Sequence, residues 1–186
     1  MRPQVEIPDS PSDPYPIIVN NAEVVPGFGR GSSEMGIPTA NVPIDSSEQL
    51  KNLETGVYFG FVRVMSDNSN QNRQPHQVSR IDGKSSVTLT YGEGLKETDR
   101  KVFPMVMSLG WNPYFKNKQK ACELHILHKF ATSFYGARVN FNVLGYIRPE
   151  LDYTTLEALI KDIQIDIDTA KEYLQKPGYE KWAGGV

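Results

Sequence analysis

Six short runs rich in β-branched and aromatic residues follow one another before any strong helical pattern begins, and this succession constrains the fold more than anything else in the chain. The runs are Pro16 to Pro26, Gly56 to Met65, Ser85 to Gly92, Lys101 to Gly110, Cys122 to Phe130 and Arg138 to Arg148. Several alternate apolar with polar residues, the pattern of a strand that buries one face. Turn-rich connections separate them, so the expected architecture is mainly β, an antiparallel barrel or sandwich. One long helix follows near the end. Leu156, Leu159, Ile160, Ile163, Ile167, Ala170 and Leu174 recur at helical spacing, Thr154 and Glu157 fit a capping box, and Pro177 and Gly178 stop the helix. Its apolar face is expected to pack on the barrel.

A chain of 186 residues suits one domain with decorations. That domain is expected over 16–176, after an irregular, proline- and acid-rich lead-in (1–15) and before a tail (177–186). Between the second and third runs lies SDNSNQNRQPHQVSRIDGKSS, a polar insertion over about 66–86 with almost nothing to bury, which reads as a loop or a partly disordered segment. The formal net charge of -2 argues against a general polyanion surface, and a barrel for single-stranded nucleic acid would interleave basic residues with exposed aromatics. One cysteine, Cys122, permits no internal disulfide, and with three histidines it makes no zinc set. No apolar run approaches the roughly 20 residues that cross a bilayer, and the start reads neither as a signal nor as a transit peptide. A cytoplasmic protein without membrane or obligatory protein partner, acting as a monomer, is the expectation.

The stretch GFGRGSSEMGIPTANVP, Gly27 to Pro43, bears most directly on chemistry. Gly27, Gly29 and Gly31 permit close approach of a ligand to bare backbone, so N–H groups there could surround an anion. No Gly-Lys-Ser/Thr follows, and Ser32 occupies the third glycine position of a dinucleotide fingerprint, so neither common nucleotide loop fits. From the glycines alone, a tight turn and a phosphate loop are equally good readings. In PTAN, Pro38 holds Ile37 extended, and Thr39 and Asn41, two apart, share one side of an extended segment. Both offer oxygen, which suits Mg²⁺ beside substrate phosphates; an Asx or Thr turn at a strand start is the blander reading.

The whole stretch resembles the riboflavin kinase family, whose signature is a glycine-rich G-R/K-G-S loop running into G-x-P-T-A-N. Here those residues are Gly29-Arg30-Gly31-Ser32 and Gly36-Ile37-Pro38-Thr39-Ala40-Asn41. The resemblance continues through GVYFGFVRV, SLGWNPYF, ELHIL, FYG and GYIRPE to the helix, from about residue 20 to 176. It implies transfer of the ATP γ-phosphoryl group to the 5'-hydroxyl of riboflavin, giving FMN and ADP, on a six-stranded antiparallel Greek-key barrel with the long C-terminal helix packed on it. It further implies that the loop of Gly27, Gly29, Arg30, Gly31 and Ser32 embraces the ATP phosphates. Thr39 and Asn41 match the residues that bind the divalent metal, Mg²⁺ or another such as Zn²⁺.

Glu123 matches the glutamate that this family uses as catalytic base, whereas a lone strand carboxylate is ordinarily a solvated surface group. His125 shares its face and either borders the nucleotide or is a neutral structural histidine. Lys116 could reach a phosphate or an adenine edge, although an exposed lysine ordinarily does neither. Arg148, at the end of the last run, together with Leu156 at the helix start, marks the flavin side that the resemblance implies, and Tyr135 in FYG is a weaker candidate there. An ion pair with Glu150 or another acid is the structural alternative for Arg148. The chain lacks the H-x-G-H signature of a nucleotidyltransferase, so FMN rather than FAD is the expected product. The rival reading is a non-catalytic barrel that binds a flavin or nucleotide.

Overall fold

The computed structural model of the protein describes residues 2–27, 39–69, 74–80, 83–111, 116 and 118–186. The elements are β1 (Ile17–Glu23), β2 (Thr39–Val42), α1 (Glu48–Asn52), β3 (Gly56–Met65), β4 (His76–Ser79), β5 (Ser86–Leu89), β6 (Val102–Trp111), β7 (Lys120–Ile126), β8 (Arg138–Val143), β9 (Gly145–Arg148), α2 (Leu156–Leu174) and α3 (Pro177–Glu180). Seven strands form one antiparallel sheet in the order β1-β8-β3-β6-β7-β2, with β9 also paired to β3. β3, β6 and β7 make a meander, and the chain then crosses back to lay β8 beside β3, which is a Greek key. One further bond curls the sheet toward closure: the Val25 N–H, just past β1, donates to the Asn41 carbonyl on the outer edge of β2 at 2.9 Å.

One of the six expected strands takes a different place and another is split in two. The run from Ser85 to Gly92 supplies β5, which pairs only with β4 in a separate two-stranded hairpin, and β2 takes its place in the curled sheet. β4 lies inside the insertion expected to be a loop. Its side chains are nearly all exposed, so backbone pairing holds it without the burial that makes a strand visible in a sequence. The last run breaks at Leu144 into β8 and β9.

Alternation along each strand divides two apolar layers. Val19, Val62, Val64, Met105, Met107, Leu124, Val139 and Phe141 fill the barrel interior. Val57, Phe59, Phe61 and Val106 project outward and meet Ile167, Ala170 and Leu174 of α2 together with Tyr179 of α3. β3 is therefore buried on both faces, which explains why GVYFGFVRV reads as an almost unbroken apolar run. Gly60 sits under the Asn142 carbonyl, with no room for a Cβ.

The cap of α2 is Thr155, whose hydroxyl accepts the Ala158 N–H at 3.1 Å, rather than Thr154. Only the C-terminal half of the helix buries its stripe; Leu156 and Ile160 near its start remain 64% and 45% exposed. Beyond the helix, the Asn142 amide donates to the Trp182 carbonyl at 3.1 Å and Val186 is buried, so the final residues pack on the outer layer. The first residues form neither strand nor helix, yet they too are held. The Tyr179 hydroxyl donates to the Pro8 carbonyl at 2.6 Å, and Lys176 pairs with Asp9 at 2.7 Å. Among the described residues no helix is long and apolar enough to cross a membrane.

Candidate active site

The short strand β2 lies antiparallel to β7, with Thr39 opposite His125 and Asn41 opposite Glu123. Ala40, Val42, Cys122 and Leu124 point into the barrel and are buried, which turns the four polar side chains to its outer face. Directly opposed residues of an antiparallel pair carry Cβ atoms about 4.5–5.5 Å apart. Thr39, Asn41, Glu123 and His125 thus form a compact two-by-two patch. On the far side of β7, Ser108 of β6 stands opposite Glu123 and Val106 opposite His125, so the patch grades into the apolar layer under α2.

Asn41 is fixed from a second direction. A Cβ added to Gly27 would stand 2.5 Å from the Asn41 side-chain nitrogen, so the absence of a side chain at Gly27 makes room for this amide. A Thr hydroxyl and an Asn carbonyl oxygen are hard, neutral donors, and in this cradle they fit a divalent cation whose other positions are filled by phosphate and water. Among the described residues no group of three His, Cys, Asp or Glu side chains could hold a metal, so a site made wholly of protein ligands of the zinc kind is absent there.

His125 is buried, and its Nδ1 finds no hydrogen-bond partner among the described residues. Burial pushes its pKa below the ordinary histidine value, against the opposing charges of Glu123 and Asp166, so the ring is neutral at pH 7. Arg148 has the ion-pair form of its two expected roles, with Asp166 of α2 as the acid rather than Glu150. Nε lies 3.0 and 3.1 Å from the two carboxylate oxygens and Nη2 lies 2.9 Å from Oδ2, a forked pair with both side chains buried. Burial works against the guanidinium charge, but the hydrogen bonds and charge of Asp166 outweigh it and hold the pKa above its usual value. Glu150 lies over the backbone of Gly110, two residues along β6 from Ser108. Burial and the nearby Asp152 raise its pKa.

The other predicted residues are more scattered. Gly29, Arg30, Gly31 and Ser32 lie outside the described residues. Leu156 is the exposed first residue of α2. Lys116 is exposed, with a positive φ of 52°. Tyr135 sits in the connection between β7 and β8; its hydroxyl accepts from Arg80 at 3.2 Å and its carbonyl accepts the N–H groups of Thr90 and Tyr91, contacts that face the β4–β5 hairpin. Sequence reasoning passed over Ser108 and Asp166. Asp166 did leave a signal, because an acid directly beside Ile167, within the stripe that docks α2, requires a buried partner.

Fold and site together define a class: a small Greek-key barrel whose outward strand face, rather than its interior, carries the clustered polar side chains. The family model described as "Flavokinase: Riboflavin kinase" matches residues 14–174. Riboflavin kinase of Kluyveromyces lactis is 54% identical over 178 residues, covering 95% of this chain and 94% of its own length. That of Scheffersomyces stipitis is 51% identical over 181 residues, covering 97% of each. The crystal structure of riboflavin kinase from Trypanosoma brucei matches with a TM-score of 0.61 at 24% identity, covering 91% of this chain and 87% of that one, a likeness of fold. The chain belongs to the riboflavin kinase family.

Proposed function

We propose that this protein transfers the γ-phosphoryl group of ATP to the 5'-hydroxyl of riboflavin, producing FMN and ADP. Family membership supports the reaction, and the single structural observation that carries it is the register of β2 on β7, which sets Asn41 directly against Glu123. A phosphotransfer to an alcohol needs a proton acceptor next to the groups that hold the phosphates. Glu123 takes the hydroxyl proton and points the oxygen toward the phosphorus. Thr39 and Asn41 hold a divalent cation, Mg²⁺ on the chemistry of their oxygens, which when bound neutralises phosphate charge. Gly27 keeps Asn41 in place, and the backbone N–H groups of Gly29, Gly31 and Ser32, with the Arg30 charge, receive the phosphates of ATP. The neutral ring of His125 closes the patch beside Thr39 and excludes water from it.

The flavin side lies at the junction of β9 and α2, where Arg148 is anchored and Leu156 and Ile160 expose apolar surface suited to a planar ring. Tyr135 faces the β4–β5 hairpin, where its hydroxyl accepts from Arg80, and among the described residues no contact ties Lys116 to the patch. We place the protein in the cytoplasm as a monomer, with 16–176 as the catalytic unit, a span close to the 14–174 that the family model matches.

The test is FMN formation from riboflavin and ATP, resolved by chromatography, with Mg²⁺ and after chelation, beside a folded Asn41→Ala variant. FMN that requires the metal and falls by about 100-fold in the variant is the expected outcome, in line with the loss of an electrostatic contact to the reacting phosphates. Riboflavin binding without FMN, whatever metal or nucleotide is supplied, would favour a binding barrel instead. Gly27→Ala gives a finer check. The added methyl displaces the Asn41 amide, so turnover should fall about tenfold while overpacking lowers stability by about 1–2 kcal/mol. Unchanged turnover would show that the amide has room to move.

A further inference from the structure

We propose that Arg2 is a positioning residue for the flavin side of the site, acting through two acids of α2; this inference rests on the flavin reading of the β9–α2 junction given above. The connection from β9 to α2 is tied to the helix at two points. Arg148, at its start, pairs with Asp166, and the Tyr153 hydroxyl, further along, donates to Asp162 Oδ2 at 2.7 Å. The Arg148 guanidinium also stands 5.8 Å from the centre of the Tyr153 ring. Asp162 and Asp166 are four residues apart on one helix face, a spacing at which like charges repel.

Arg2 bridges the two. Its Nη2 donates to Asp166 Oδ1 at 2.7 Å, and its Nη1 donates to the Asp162 carbonyl at 3.3 Å and lies 3.8 Å from the Asp162 carboxylate. One guanidinium therefore offsets the repulsion and holds in place both acids on which Arg148 and Tyr153 hang. Beyond Asp162, toward the start of α2, the helix presents Leu156 and Ile160 to solvent, so Arg2 fastens the helix at the inner margin of its exposed apolar end. The second attachment of the leading segment, Asp9 to Lys176 and Pro8 to Tyr179, lies past the other end of the helix and touches none of these residues. The two attachments can thus be separated by mutation.

Arg2→Ala, which removes both of its hydrogen bonds to α2, should raise the KM for riboflavin about fivefold and leave kcat and the KM for ATP within about twofold of the parent. Arg2→Lys should recover part of the loss, because an ammonium restores the charge but reaches the two acids one at a time. Lys176→Ala, which removes the comparable exposed pair at the far attachment, should leave the KM for riboflavin unchanged. The riboflavin Kd, read by quenching of flavin fluorescence, is measured on the same variants. An unchanged riboflavin KM and Kd in Arg2→Ala, or an equal rise in Lys176→Ala, would overturn the proposal. A parent protein that forms no FMN would instead refute the phosphotransfer reading, and the riboflavin Kd values would still decide the role of Arg2.

Discussion

Glu123→Gln is expected to leave the barrel folded and to slow FMN formation by about 100-fold or more. Glutamine keeps the volume and one acceptor oxygen of glutamate, and position 123 faces outward from β7, away from the core that Cys122 and Leu124 fill. What disappears is the basicity. Positioned proton acceptors contribute about 10²–10⁴-fold to rate, and phosphoryl transfer, which leans more on orientation and electrostatics, belongs near the lower end of that range. Melting temperature within about 2 °C of the parent, alongside the lost turnover, would separate the chemical role from a structural one. Turnover within about threefold of the parent would remove Glu123 from the role of base and leave phosphate positioning as the main source of catalysis.

Asp166→Ala is expected to destabilise the protein more than any other single change at the site. Arg148 is 4% exposed and Asp166 2%, so the alanine leaves a buried guanidinium without its carboxylate. Breaking such a pair from one side costs about 3 kcal/mol or more, which for a domain of this size lowers Tm by about 10 °C. The double variant Arg148→Met/Asp166→Leu should recover most of that stability, since well-packed apolar side chains replace a buried pair at little net cost. Thermal melts of the two variants side by side settle the point. A single variant that melts with the parent would mean that the guanidinium finds other partners or water.

Most strands that line the barrel were legible, either because they bury alternate residues, as Cys122, Leu124 and Ile126 do along β7, or because they are apolar on both faces, as β3 is, whereas the four residues of β2 read only as an extended segment. β4 was not legible, since three of its four residues are exposed and the fourth is half-buried, and a strand without a buried face leaves no pattern. β5 was recognised as a strand but counted with the barrel, since the sequence carries its period and not its pairing. The same limit held at the site. Thr39 with Asn41, and Glu123 with His125, were each readable as same-face pairs, whereas the register that sets Asn41 against Glu123 joins positions some eighty residues apart. An ion pair was readable for Arg148 but not its acid, since the carboxylate beside Ile167 signals a buried partner without naming it. Arg2 lies 164 positions from Asp166, and nothing in the leading segment marks that contact.

The hydrogen bond from Val25 to Asn41 has a bearing on how this family can vary. It joins Val25 and Asn41, which stand on either side of the glycine cluster at points the barrel already holds in place. Lengthening a connection whose ends are held adds only closure entropy, about 0.6 kcal/mol for each doubling of its length, so folding places a weak limit on how many residues the connection between the two contains. The limit that matters is where it lands, because a shift of one residue on β2 would turn Thr39 and Asn41 inward and bring Ala40 to the face of Glu123.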